Sequence, residues 1–149
     1  MMPSAPWGIY GERPFPLWSA AAGGTSSVRS EVPPRILLVE DEFLTAALLG
    51  DELAAAGYAI VGPYGTLASA TAAADGEPFD VALLDVNLRG ELVYPLAEEL
   101  VARAVPVVLV SGYSTADLPS SLRGLPRLSK PHDTTALLRA IERELRSAS

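Results

Sequence analysis

From Arg35 onward the chain switches regularly between two hydrophobic periodicities. Ile36-Leu37-Leu38-Val39 is a short unbroken apolar run, the pattern of a strand covered on both faces. Leu44, Leu48, Leu49, Leu53 and Ala56 then recur at helical spacing as far as Gly57, a residue suited to the C-cap. Tyr58 to Val61 predicts a second strand, and Leu67 to Ala74 an alanine-rich second helix. Val81-Ala82-Leu83-Leu84 predicts a third strand ending at Asp85. Leu96, Ala97, Leu100 and Val101 predict a third helix, with Pro95 in its first turn. Val107 to Val110 reads as a fourth strand, and Thr115 to Arg123 as a poor fourth helix because Pro119 interrupts it. Leu125 to Leu128 is a short fifth strand. Asp133 is placed to cap a last helix whose Leu137, Leu138, Ile141 and Leu145 form one stripe.

Five strands alternating with five helices predict an α/β protein, a doubly wound parallel sheet with helices on both faces. Ligands of such sheets collect beyond the carboxyl ends of the strands, where the strand order reverses. The residues just after each strand therefore carry the functional reading.

Residues 1–33 differ from the rest. They hold Trp7, Trp18, Tyr10 and Phe15, scattered prolines and the run Gly23-Gly24-Thr25-Ser26-Ser27. With neither a basic start nor an unbroken apolar stretch, the segment is no secretory signal. It is expected to be an irregular extension and linker, with the folded domain over residues 34–149.

Composition narrows the chemistry. The 149 residues include no cysteine, so disulfides, thiolate metal sites and a cysteine nucleophile are excluded. A single histidine, His132, leaves no basis for a histidine-rich metal site. A net charge of -7 argues against nucleic acid or anionic lipid as the main partner. No apolar run approaches the length of about 18 residues that a membrane helix needs.

At the strand ends stand Glu40, Asp41 and Glu42 after the first, Asp85 after the third, Ser111 after the fourth and Lys130-Pro131 after the fifth. Each alone is an ordinary turn or surface residue. Together they place three carboxylates, an ammonium and a hydroxyl at one sheet edge. Converging carboxylates repel unless a cation compensates, and oxygen ligands without cysteine or histidine suit a hard ion, Mg²⁺ first. Mg²⁺, an ammonium and a hydroxyl are the groups that stabilise a phosphoryl group in transit, and a carboxylate such as Asp85 can accept it as an acyl-phosphate.

Ile36 to Glu42 (ILLVEDE), Leu83 to Asn87 (LLDVN), Val108 to Gly112 (VLVSG) and Lys130-Pro131 resemble the four motif blocks of response-regulator receiver domains, in the same order and at similar spacing. The resemblance covers residues 35–149. It implies a flavodoxin-like sheet of order 2-1-3-4-5, with Glu40 and Asp41 as the acidic pair and Asp85 as the phosphorylation site. It further implies that Asn87 lends its backbone carbonyl to Mg²⁺ and that Ser111 and Lys130 hold the phosphoryl oxygens. A cis peptide at Lys130-Pro131 is implied as well. The Ser111-Gly112-Tyr113 turn and the stretch Asn87 to Pro95 (NLRGELVYP) resemble a bacterial subgroup of small single-domain regulators.

Three positions depart from the family. Arg127 stands where an aromatic switch residue is usual, His132 replaces phenylalanine after Lys-Pro, and the fourth helix is broken by proline. With Arg127 unsuited to an apolar slot, Tyr113 becomes the candidate switch aromatic.

The implied function is a cytoplasmic phosphoacceptor of a two-component system, not a metabolic enzyme. Its partners would be a sensor histidine kinase or a phosphotransfer protein, with a downstream regulator or a homodimer as further possibilities. No output domain is expected after the last helix, and the signal is expected to leave through protein contacts. The alternative is a pseudo-receiver, the same fold binding proteins without phosphorylation. A haloacid-dehalogenase-like enzyme would want Asp-x-Asp where this chain has Asp85-Val86-Asn87. A nucleotide binder would want a glycine-rich first loop.

Overall fold

The computed structural model describes residues 32–112 and 118–148. The extension expected over residues 1–33 falls outside the described residues except at Val32 and Pro33, and Tyr113 falls outside them too. Residues 34–149 belong to one compact unit.

Its centre is a five-stranded sheet of β1 (Arg35–Val39), β2 (Ala59–Tyr64), β3 (Val81–Asp85), β6 (Val107–Ser111) and β7 (Arg127–Ser129), in the order β2-β1-β3-β6-β7. All four pairings are parallel. Two two-residue strands, β4 (Asn87–Leu88) and β5 (Glu91–Leu92), form a separate hairpin after β3. The helices are α1 (Phe43–Ala55), α2 (Leu67–Gly76), α3 (Tyr94–Ala102) and α4 (Thr134–Ala148). The order matches the 2-1-3-4-5 expectation once the small hairpin is set aside.

Alternation along the strands sorts the core into two layers. Leu37, Val39, Ala82, Leu84, Val107 and Leu109 face one way and pack with Ala70, Ala73 and Ala74 of α2 and Leu96, Ala97 and Leu100 of α3. Ile36, Leu38, Val81, Leu83, Val108 and Val110 face the other way, against Leu49 and Leu53 of α1 and Leu137, Ala140 and Ile141 of α4. Covered on both sides, the central strands need no polar face, which is why they read as continuous apolar runs.

Several boundaries and one helix face differ from expectation. The buried residues of α1 are Ala46, Leu49 and Leu53. Leu44 and Leu48, expected inside, are 70% and 61% exposed, next to Phe43 at 80%. Ala56 is exposed as well. In place of a fourth helix over Thr115 to Arg123, the described residues show a 3-10 turn, Ser120–Leu122, that opens after Pro119 and buries Leu122. The last strand starts at Arg127 rather than Leu125, which packs at the core margin instead. Pro95 does sit in the first turn of α3. Asp133 caps α4, its Oδ2 accepting from the Ala136 N–H at 3.1 Å.

Strand β2 carries an irregularity the periodicity does not announce. Its register against β1 shifts between Leu37 and Val39, where the chain passes through Gly62-Pro63, a cis peptide. Gly62 has φ +116°, and a Cβ there would lie 2.7 Å from the Leu38 carbonyl oxygen, so only glycine fits. Beyond the shift the Tyr64 carbonyl accepts from the Glu40 N–H at 2.9 Å, which fixes the backbone at the first acidic residue.

Candidate functional site

The parallel register assembles the site. Val39 lies opposite Leu84, so the next residues along, Glu40 and Asp85, come level at the carboxyl edge. Asp85 pairs with Val110, and Ser111 with Ser129, which brings Ser111 and Lys130 to the same edge. The Lys130 N–H donates to the Ser111 carbonyl at 2.8 Å, and the Lys130-Pro131 peptide is cis, as the family resemblance implies.

One carboxylate oxygen from each of Glu40, Asp41 and Asp85 lies within 4.8 Å of the others. Glu40 and Asp85 are buried, and Asp41 is partly so. The Lys130 ammonium enters between them, with Nζ 2.8 Å from Asp85 Oδ2 and 3.1 Å from Glu40 Oε1. Backbone donors hold the acids in place: the Glu42 N–H reaches Glu40 Oε2 at 3.1 Å, and the Asn87 N–H reaches Asp85 Oδ1 at 3.1 Å. Ser111 is buried at the end of β6, beside this cluster.

The electrostatics follow from burial. Loss of water raises the Glu40 carboxyl above its usual range, and the Asp85 charge adds to this; the Glu42 N–H and Lys130 oppose it. Burial acts to lower the Lys130 ammonium, but its hydrogen bonds to Asp85 and Glu40, with their charges, outweigh it and leave the pKa raised. The lysine therefore stays a cation at neutral pH. Three carboxylates against one ammonium leave the pocket electron-rich.

That donor set fits a hard divalent ion. Oxygen-only ligands on three side chains, two of them buried, suit Mg²⁺ better than a soft metal. Glu40, Asp41 and Asp85 would hold it, with the Asn87 carbonyl at the adjacent turn.

Two interactions lie outside the expected set. Arg89, at the tip of the β4–β5 hairpin, donates from Nε to Asp41 Oδ2 at 3.2 Å and from a terminal guanidinium nitrogen to the Asp41 carbonyl at 3.5 Å. The signal for it was a lone cation four residues past a strand-end aspartate. His132 Nε2 lies 3.3 Å from Glu52 Oε1 and the Thr134 hydroxyl donates to Glu52 Oε2 at 3.1 Å, which ties the segment after Lys130-Pro131 to α1. Arg127, at the usual place of the switch aromatic, is exposed on β7.

A doubly wound sheet whose carboxyl edge joins three acids to one lysine defines a flavodoxin-like domain with an acidic pocket at that edge. The chain belongs to the response-regulator receiver family. No protein-family model matches it. It is similar to SdrG of Sphingomonas melonis Fr1, with 39% identity and a TM-score of 0.67 over 76% of this chain and 98% of that one. A second structure shows SdrG in its BeF3-activated conformation, at 39% identity and a TM-score of 0.63 over 74% and 95% of the two chains. A CheY-like receiver domain of Methanospirillum hungatei JF-1 shares the fold, with a TM-score of 0.71 at 24% identity over 78% of this chain and 96% of that one. The transcriptional regulatory protein PdtaR of Mycobacterium tuberculosis is 31% identical over 124 residues, covering 80% of this chain. The chain spans about 60% of the length of the curated relatives it matches. These relatives are regulators rather than metabolic enzymes. Among the described residues no helix is long and apolar enough to cross a membrane.

Proposed function

We propose that this receiver domain, over residues 34–149, accepts a phosphoryl group on Asp85 from a phosphohistidine of a sensor kinase or phosphotransfer protein, in the cytoplasm and with Mg²⁺ in the acidic pocket. The observation that carries the reading is the Lys130 ammonium 2.8 Å from Asp85 Oδ2 inside a three-carboxylate pocket. The BeF3-activated conformation of the similar protein SdrG supports it, since beryllofluoride mimics a phosphoryl group.

In the transfer, a carboxylate oxygen of Asp85 forms a bond to phosphorus as the phosphorus–nitrogen bond of the donor imidazole breaks, and the ring leaves with that electron pair. Asn87 N–H and Lys130 fix the two oxygens of Asp85, so the nucleophile is oriented before the donor arrives. Lys130 and the Ser111 hydroxyl then stand beside the equatorial phosphoryl oxygens and offset their charge. When bound, Mg²⁺ supplies further compensation for that charge. Tyr113 is proposed as the switch aromatic.

The phosphohistidine is carried by a protein, which must land beside the pocket. Phe43, Leu44 and Leu48, exposed on the helix that starts two residues after Asp41, offer an apolar surface for it. Incubation with acetyl phosphate and Mg²⁺, followed by intact-mass measurement, should show one added phosphoryl group. The Asp85→Ala protein should show none. An equal increase in Asp85→Ala would move the site elsewhere, and no increase in the native chain with any donor would favour the pseudo-receiver.

A further inference from the structure

Arg89 occupies an unusual position for a cation. It sits at φ 56° at the tip of the hairpin, followed by Gly90 at φ 94°, a pair of left-handed residues where asparagine or glycine is the cheaper first choice. Its side chain is 78% exposed, yet among the described residues both of its hydrogen bonds go to one residue, Asp41. The backbone beneath it is held firmly: Val86, Leu88 and Val93 are buried, and the Val93 N–H closes the hairpin on the Val86 carbonyl at 2.9 Å. The backbone of the turn is thus fixed, while the guanidinium stands at the surface and reaches Asp41.

The two cations of the pocket divide the work. Lys130 is mostly shielded and bonded to two buried carboxylates, so it cannot leave without stranding them. Arg89 is in water and meets only the most accessible of the three acids, and such an exposed pair is weak and easily exchanged. Three carboxylates facing Lys130 alone carry two uncompensated charges, and Arg89 removes one of them. A divalent ion would supply both and make the guanidinium redundant.

We propose that Arg89, paired with Asp41, is a built-in counter-cation of the acidic pocket that competes with Mg²⁺ for that carboxylate. The proposal rests on the reading of the pocket as a Mg²⁺ site. It sets the threshold of free Mg²⁺ at which the pocket becomes competent, through a residue that is itself no ligand.

The test is Mg²⁺ titration of the full chain by calorimetry, with no phosphodonor, in the native protein, Arg89→Ala and Arg143→Ala. Arg143 is an exposed arginine of α4 with no ion pair to the pocket acids among the described residues. Arg89→Ala should bind Mg²⁺ about two- to five-fold more tightly than the native chain, the factor an exposed ion pair supplies. The difference should shrink as ionic strength rises. Arg143→Ala should match the native chain. Equal or weaker binding by Arg89→Ala, or equal tightening by Arg143→Ala, would overturn the competition while leaving the Mg²⁺ site standing. Binding by none of the three proteins would overturn the site itself and the competition with it.

Discussion

Replacing Lys130 by methionine tests how the pocket is held together. Methionine keeps an unbranched stem and removes only the ammonium. Left behind are Glu40 and Asp85, both buried, with the ion pairs of 3.1 and 2.8 Å lost. Removing one partner of a buried pair costs about 3–5 kcal/mol, because a desolvated charge is stranded. The Lys130 side chain is 26% exposed, so water screens part of that, and about 2–3 kcal/mol is the expected loss in EDTA. For a domain of this size that lowers the melting midpoint by about 8–12 °C. Mg²⁺ should narrow the gap. Free ion at a hundred times its Kd stabilises a protein by about 2.7 kcal/mol, and the variant, one positive charge poorer in the pocket, should have the lower Kd. Thermal and urea unfolding in EDTA and across a Mg²⁺ series measure both effects. A variant as stable as the native chain in EDTA, or a gap that Mg²⁺ leaves unchanged, would refute the reasoning.

Other substitutions separate the fold from the site. Leu53→Ala empties a fully buried position between α1 and the sheet and should cost about 2–5 kcal/mol by urea denaturation. Gly62→Ala should cost at least about 2 kcal/mol, since the new methyl would press on the Leu38 carbonyl at a backbone angle alanine disfavours; a neutral result would mean that β2 shifts to make room. Leu48→Ala, made on an exposed position, should change stability by no more than about 0.5 kcal/mol. The same variant should label normally with acetyl phosphate but more slowly with a phosphohistidine protein; equal slowing with both donors would remove α1 from the docking surface.

The sheet was legible because a parallel strand covered on both faces has no polar side to confuse its period. The first two runs of this kind end where the cover ends, so the first polar residue after each, Glu40 or Asp85, marks the carboxyl edge, and Lys130 follows the short, partly exposed last strand. Register then brings these residues together, although they are 45 positions or more apart in the chain. The hairpin at Asn87 to Leu92 was not legible: two-residue strands have no period, and Arg89-Gly90 lacks the asparagine or aspartate that usually marks such a turn. The Arg89 contact with Asp41 depends on that turn and was hidden with it.

The misread face of α1 has a different cause. Nine of its thirteen residues are apolar, and Leu44 and Leu48 make as good a stripe as Ala46, Leu49 and Leu53. Periodicity ranks stripes by hydrophobicity, and leucines outrank an alanine. Space decides instead, because α1 shares its layer with α4, and Leu49 and Leu53 suffice to meet Ile36, Leu38 and Val81 there. The remaining apolar side chains are left in water, where they add nothing to the stability of the monomer. A helix that starts two residues after Asp41 and keeps Phe43, Leu44 and Leu48 on its surface is the apolar face that the proposed phosphohistidine donor would need at this edge of the sheet, and the Leu48→Ala comparison of the two donors tests that demand directly.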